Sequence, residues 1–326
     1  MLSAKTIFIS PLDWGLGHAT RCVPLIKNLQ KSNNIILGVT PLTQKIFNDE
    51  FPDLLKVNVP TYNIRYSKKL PIWLKLFLDS PKILYNIKKE HQLVEKLIKK
   101  HKINIIVSDN RFGFYSKNVH SIFITHQVFL KTPFANMFLQ AINKKFILNF
   151  DELWIPDNVN ESKSLSGDLS HGFHFHKNVK YLGILSRLNK IEVSEKIYDF
   201  LFLISGPEPQ QTIFKNLLVE KGRRYPSLKF ALACPHSTKF DAQNIEIINS
   251  PNAKKLSEVI LRSKKIICRS GYSTLMDLHH LGIDFKNIIL VPTSSQTEQE
   301  YLAYYISNKF SSHVVLESKL LEMKFD

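Results

Sequence analysis

The feature that most constrains this chain is a recurring short run that is apolar at consecutive positions. "TIFIS" (6–10), "IILGVT" (35–40), "INIIVSD" (103–109), "SIFITH" (121–126) and "ELWIP" (152–156) are of this kind. A strand with one wet face alternates apolar and polar residues. A run apolar on both faces fits a parallel sheet covered by helices on both sides. Helical patterns fall between most of the runs, over 20–30, 90–100 and 133–148, until the polar, aperiodic stretch 157–178 interrupts as a loop. The alternation then resumes with "DFLFLISG" (199–206), "KFALAC" (229–234), "IEII" (245–248), "KKIICRSG" (264–271) and "NIILVP" (287–292). Helices are expected between these runs over 210–221, 253–262, 273–281 and 296–308. Two successive β/α series predict an α/β chain of two doubly wound, Rossmann-like domains, 1–182 and 183–326. A ligand cleft is expected between them at the carboxyl ends of the strands.

Composition narrows the class. A hydrophobic share of 44% excludes disorder as the main state. No apolar stretch reaches the roughly eighteen residues of a membrane span, and the first ten residues lack the pattern of a secretory signal. Cys22, Cys234 and Cys268 are widely spaced, which reads as reduced, buried thiols in a cytoplasmic protein. The formal charge of +16 calls for an anionic partner or reflects a lysine-favouring codon bias. The excess is concentrated between Arg65 and Lys102, where the only acids are Asp79, Glu90 and Glu95.

Chemistry is expected in the loops. "DWGLGHATR" (13–21) follows the first strand, but Thr20 stands where a dinucleotide fingerprint needs its third glycine. The second strand also lacks an acid at its tip. What remains is a loop in which Asp13, Gly15 and Gly17 bring bare backbone to a ligand at a helix start. His18 there is a candidate base, or a capping histidine. Asp109, ending the run 103–109, could orient His18, act as the base itself, bind an acceptor, or simply form an Asp-Asn turn. His126 ends the next strand. In the second half, Ser205 and Gly206 follow the first strand. "CRSGYSTLMDLHHLG" (268–282) sets Ser270 and Gly271 at a strand end, Ser273 and Thr274 at a helix start and Asp277 one turn in. "VPTSSQTEQEYLA" (291–303) repeats the arrangement with Gln296, Glu298 and Gln299. Hydroxyls and open N–H groups at helix starts suit a diphosphate, and a carboxylate one turn in suits a sugar's vicinal hydroxyls.

Together with "WGLGHATR", these blocks resemble the GT-B glycosyltransferases. The nearest resemblance is to family 28, which includes the lipid-linked N-acetylglucosaminyltransferase of peptidoglycan synthesis. The resemblance implies a C-terminal domain that binds a UDP-sugar and an N-terminal domain that receives the acceptor. It implies diphosphate contacts for Arg269, Ser270, Gly271, Ser273 and Thr274, and for Asp277 the ribose role usually held by Glu. Gln296, Glu298 and Gln299 match the segment that reads the donor sugar, and Gly15, Gly17 and His18 match the N-terminal glycine loop. Asp13-Trp14 and "SGPEP" (205–209) depart from the family's glycine-rich pattern. The implied activity is an inverting, metal-independent hexosyl transfer with no cofactor beyond the donor, His18 or Asp109 serving as base. A nucleotide-sugar epimerase is the alternative on the same architecture. A basic nucleic-acid-binding module would need aromatic and basic residues alternating on an exposed surface. "HGFHFH" (171–176) suggests zinc but has no cysteine or acid close by.

The run 68–89 sets Trp73, Phe77, Leu84 and Ile87 at helical spacing among lysines, with Pro71 and Pro81 dividing it into short helices. It is either core or a basic apolar face resting on an anionic membrane. The second reading favours a lipid-linked or envelope glycan acceptor and a peripheral place on the inner face of the plasma membrane.

Overall fold

The computed structural model describes residues 3–62, 78–132, 136–236 and 239–325. The chain divides into two compact units, passing from one to the other at Leu185–Ser186.

The first unit is built on a seven-stranded sheet in the order β3-β2-β1-β4-β5-β6-β7. Its strands are β1 (Thr6–Pro11), β2 (Asn34–Val39), β3 (Leu55–Asn58), β4 (Ile105–Asp109), β5 (His120–Ile124), β6 (Glu152–Ile155) and β7 (Val179–Tyr181). Every pairing is parallel. The helices are α1 (Leu16–Leu29), α2 (Pro41–Glu50), α3 (Ser80–His101) and α4 (Asn136–Ile147). Both faces of the sheet are dry. Ile7 and Ile9 pack with Val23, Ile26, Leu37 and Val107 on one side. Phe8 packs with Val94, Leu97, Ile106 and Phe114 on the other. Each such side chain contributes about 1.5–3 kcal/mol on burial, which is why the β1 run has no polar alternation.

The second unit carries β8 (Tyr198–Leu203), β9 (Phe230–Cys234), β10 (Ile245–Asn249), β11 (Ser263–Cys268), β12 (Ile288–Leu290) and β13 (His313–Val314). They lie in the order β10-β9-β8-β11-β12-β13, again all parallel. Its helices are α5 (Gln210–Arg223), α6 (Ala253–Leu261), α7 (Tyr272–His280) and α8 (Thr297–Phe310). Phe202, Phe214, Leu218, Phe230 and Ile267 fill its core together with Phe325. Phe325 stacks on Phe200 with centroids 4.2 Å apart and lies 4.9 Å from the Tyr225 ring. Lys221 is buried beneath this tail, its Nζ donating to the carbonyls of Leu321 and Met323.

In both sheets the chain reverses direction across the sheet between two central strands, β1 and β4 in the first and β8 and β11 in the second. Ligands of doubly wound folds gather beyond the carboxyl ends of such strands.

One local expectation is corrected. Pro81 does not divide a helix; it sits in the first turn of α3, where its missing N–H has no intrahelical partner to lose. The stretch 157–178 is a loop, as expected, carrying two short 3-10 turns at Glu161–Lys163 and Gly167–Leu169. Its first part folds around the buried Asp157 carboxylate, which accepts from the Leu165 and Ser166 amides (both 3.0 Å) and from the Ser164 and Ser166 hydroxyls. Its end leads into β7. All three cysteines are buried. Burial pushes the Cys22 thiol well above its ordinary value and the Cys268 thiol up to about 12, so both stay protonated.

Candidate active site

The first cluster forms where β1 gives way to α1. Gly15 stands at the helix N-cap with φ +145°, a conformation that side chains rarely adopt. A Cβ there would meet nothing within 4 Å, so the backbone and not the space demands glycine. Three residues on, His18 faces the end of β4, because the sheet register sets Pro11 opposite Asp109. His18 Nδ1 lies 2.8 Å from Asp109 Oδ1. The His18 side chain retains 18% of its exposure, whereas Asp109 retains none.

Arg21 lies one turn further along the same face of α1. Its Nε donates to Asp109 Oδ2 at 2.7 Å and its Nη2 to Oδ1. Its Nη1 lies 3.0 Å from His126 Nδ1, and the Cys22 thiol completes the shell at 3.4 Å from Oδ2. Burial opposes a charge on Asp109. The Arg21 guanidinium and the His18 hydrogen bond outweigh it and hold the carboxyl well below the usual carboxylate range. The carboxylate therefore stays ionised and orients His18.

The turn after Asp109 is locked from behind. Arg111 is fully buried, with Nε 2.9 Å from Glu90 Oε1. Tyr62 and the Gly113 amide donate to Glu90 Oε2 at 2.9 and 3.0 Å. Asp13 Oδ1 lies 3.8 Å from Arg111 Nη1, so Asp13 belongs to this buried network. The structure thus brings His18, Asp109 and His126 together through Arg21. Arg21 was present in the "HATR" stretch but carried no assigned role, because its partner Asp109 is 88 residues away.

In the second unit several of the expected donor residues brace the fold. Arg269 is 1% exposed. Its Nη1 donates to the carbonyls of Val291 and Pro292 at 3.2 and 3.3 Å, its Nη2 pairs with Glu317, and its guanidinium lies over the Phe214 ring. This is a clamp on strand ends, not the phosphate contact expected. Ser270 is buried as well, and its hydroxyl donates to the Gln299 carbonyl at 2.7 Å. Gln299 Oε1 accepts from the Thr293 amide at 3.0 Å, and Glu300 Oε1 from the Ser295 amide at 2.9 Å. Arg269, Ser270 and Gln299 therefore shape the turns that lead into α7, with Gly271, Ser273 and Thr274 at its start, and into α8, with Gln296 and Glu298 at its start. Gly271 stands at the N-cap of α7 in an extended conformation. Ser205 and the exposed Gly206, at φ +98°, follow β8 across the switch point. Asp277 accepts from the Ser186 hydroxyl. Burial pushes its carboxyl up to about 6, against the opposing effects of Ser186 and Arg187.

Among the described residues, no group of three or more His, Cys, Asp or Glu could hold a metal ion. His171 and His176 are instead bonded to the carbonyls of Asn158 and Phe150. Residues 63–77, with Trp73, Phe77 and Pro71, lie outside the described part. Beyond them, Leu84 and Tyr85 are more than half exposed on α3, whose buried side carries Asn86, Glu90, Val94 and Leu97. Leu84 is therefore not core. No described helix is long and apolar enough to cross a membrane.

Two parallel, doubly wound sheets in succession are the fold of the GT-B glycosyltransferases. MurG of Acinetobacter baumannii superposes with a TM-score of 0.55 at 10% identity, covering 98% of this chain and 89% of that one. UGT2 of Phytolacca americana, solved with UDP-2-fluoroglucose and pterostilbene, gives 0.63 at 13% identity, covering 95% and 85%. The calicheamicin glycosyltransferase CalG4 gives 0.64 at 12%, covering 97% and 87%. At these identities the likeness is one of fold. The family resemblance is narrower: residues 209–325 match the glycosyltransferase family 28 C-terminal domain. No curated protein matches the chain in sequence. The fold and the family match together support a glycosyltransferase.

Proposed function

We propose that the protein is an inverting glycosyltransferase that moves a hexose or N-acetylhexosamine from a UDP-sugar to a glycan or lipid-linked acceptor. The observation that carries this reading is the 2.8 Å contact between His18 and a buried, ionised Asp109 at the mouth of the first sheet. Its companion is the match of 209–325 to the glycosyltransferase family 28 C-terminal domain. In this reading His18 Nε2 takes the proton of the acceptor hydroxyl as that oxygen attacks the anomeric carbon. Asp109 keeps the ring oriented and stabilises the imidazolium that forms. The anomeric C–O bond breaks with its electron pair leaving on UDP. The start of α7 at Gly271, Ser273 and Thr274 receives that charge without a metal, and Asp277 holds the ribose hydroxyls.

A membrane-borne acceptor is supported by the basic charge and by apolar side chains turned outward in the first unit. Leu84 and Tyr85 on α3, and Met137 and Phe138 on α4, are all more than half exposed. Lys82, Lys88 and Lys89 are exposed beside the first pair. The test is a panel of UDP-sugars, each incubated with the protein alone and then with lipid-linked and soluble glycan acceptors. Acceptor-dependent release of UDP with inversion at the anomeric carbon is expected. Interconversion of a UDP-sugar without acceptor would replace this reading with an epimerase.

A further inference from the structure

We propose that Arg21 is a positioning residue that gives the two histidines of the Asp109 cluster opposite proton placements, making His18 the base and fixing His126 as a donor through Nε2. A guanidinium only donates hydrogen bonds. Arg21 Nη1 lies 3.0 Å from His126 Nδ1, so that nitrogen presents its lone pair and the ring proton sits on Nε2. A carboxylate only accepts. His18 Nδ1, 2.8 Å from Asp109 Oδ1, therefore carries its proton there and leaves the lone pair on Nε2.

One side chain sets both conditions. Arg21 Nε and Nη2 hold the two oxygens of Asp109 while Nη1 fixes His126. The titratable and charged groups at this point are Asp109 at the end of β4, His18, Arg21 and Cys22 on α1, and His126 after β5. Cys22 stays a thiol, so the arginine's charge offsets that of Asp109. His126 has Nδ1 committed to Arg21 and Nε2 already protonated, and it cannot take a proton from an acceptor hydroxyl. The assignment of the base rests on the function proposed above; the two ring tautomers do not.

The experiment reads the rings directly. The full-length protein is labelled with ¹⁵N-histidine, and long-range ¹H–¹⁵N correlations are recorded near neutral pH. Signals are assigned by their loss in His18→Gln and His126→Gln. The expected wild-type result is His18 protonated on Nδ1 and His126 protonated on Nε2, with a pyridine-like Nδ1. In Arg21→Lys, whose single ammonium cannot span Asp109 and His126 together, and in Arg21→Met, the His126 ring should lose its single tautomer. A wild-type His126 that is protonated on Nδ1, or doubly protonated, overturns the proposal even if neither variant folds. An unchanged His126 ring in folded Arg21 variants overturns it as well. A His18 ring protonated on Nε2 would instead overturn the base assignment and leave the His126 result standing, so the two failures are distinguishable.

Discussion

At the scale of residues, the two carboxylates that matter are shifted in opposite directions, and this separates binding from stability. Asp277 has its carboxyl raised to about 6 by burial. A raised carboxyl favours the folded state below its unfolded value of about 3.9, and that contribution is lost as pH rises through about 6. Asp277→Asn should therefore raise the melting temperature near neutral pH. It should also weaken UDP binding, by about 1.5–3 kcal/mol for lost charged hydrogen bonds. Calorimetric titration should further show wild-type affinity for UDP falling more steeply below pH 6 than that of the variant, in which only the ligand's own phosphate titrates. Asp109 has the opposite sign. Held below the usual range, it contributes stability above the ordinary carboxylate pKa and loses it only as pH falls through its own depressed value. Asp109→Ala removes the buried carboxylate that pairs with the Arg21 guanidinium, at a cost of about 3–5 kcal/mol, which thermal melts should register. His18→Ala should leave UDP affinity nearly unchanged and lower turnover by about a hundredfold or more, as loss of a general base does.

Elements tell how far a sequence can be read. The buried strands were legible because burial on both faces forces uninterrupted apolar runs. β3, "LKVN", lies at an edge with no fully buried residue, so the same rule has nothing to register. The loops were legible in position but not in the direction of long side chains. A strand-end Arg can reach outward to a phosphate or inward to carbonyls, and Arg269 does the second because Glu317 waits nearly fifty residues along the chain. Two glycines of the first unit separate the causes of such constraint. A Cβ on Gly113 would lie 2.3 Å from the Ile87 carbonyl of α3. Gly113→Ala should cost about 1–3 kcal/mol, as overpacking does. Gly15 has open space but a positive φ. Gly15→Ala should disturb the start of α1, and steady-state kinetics should show a fall in turnover larger than its effect on the melting temperature.

For the whole molecule, the charge of +16 predicts adsorption more than architecture. Each lysine near an anionic surface is worth about 1 kcal/mol. Wild type should pellet with anionic vesicles at low salt. A variant with Lys82, Lys88, Lys89, Leu84 and Tyr85 replaced by serine should pellet less; equal pelleting would return the acceptor to the soluble class. None of this was readable from total charge, because only exposure separates a lysine face from lysines between core positions. The segment around Leu321–Phe325 bears on how the second unit withstands proteolysis. Lys221 is sealed under the carbonyls of Leu321 and Met323, and Phe325 closes the aromatic stack over Phe200. A protease cut between α8 and this segment would therefore take away a wall of the hydrophobic core, and the second unit should aggregate rather than survive trimmed.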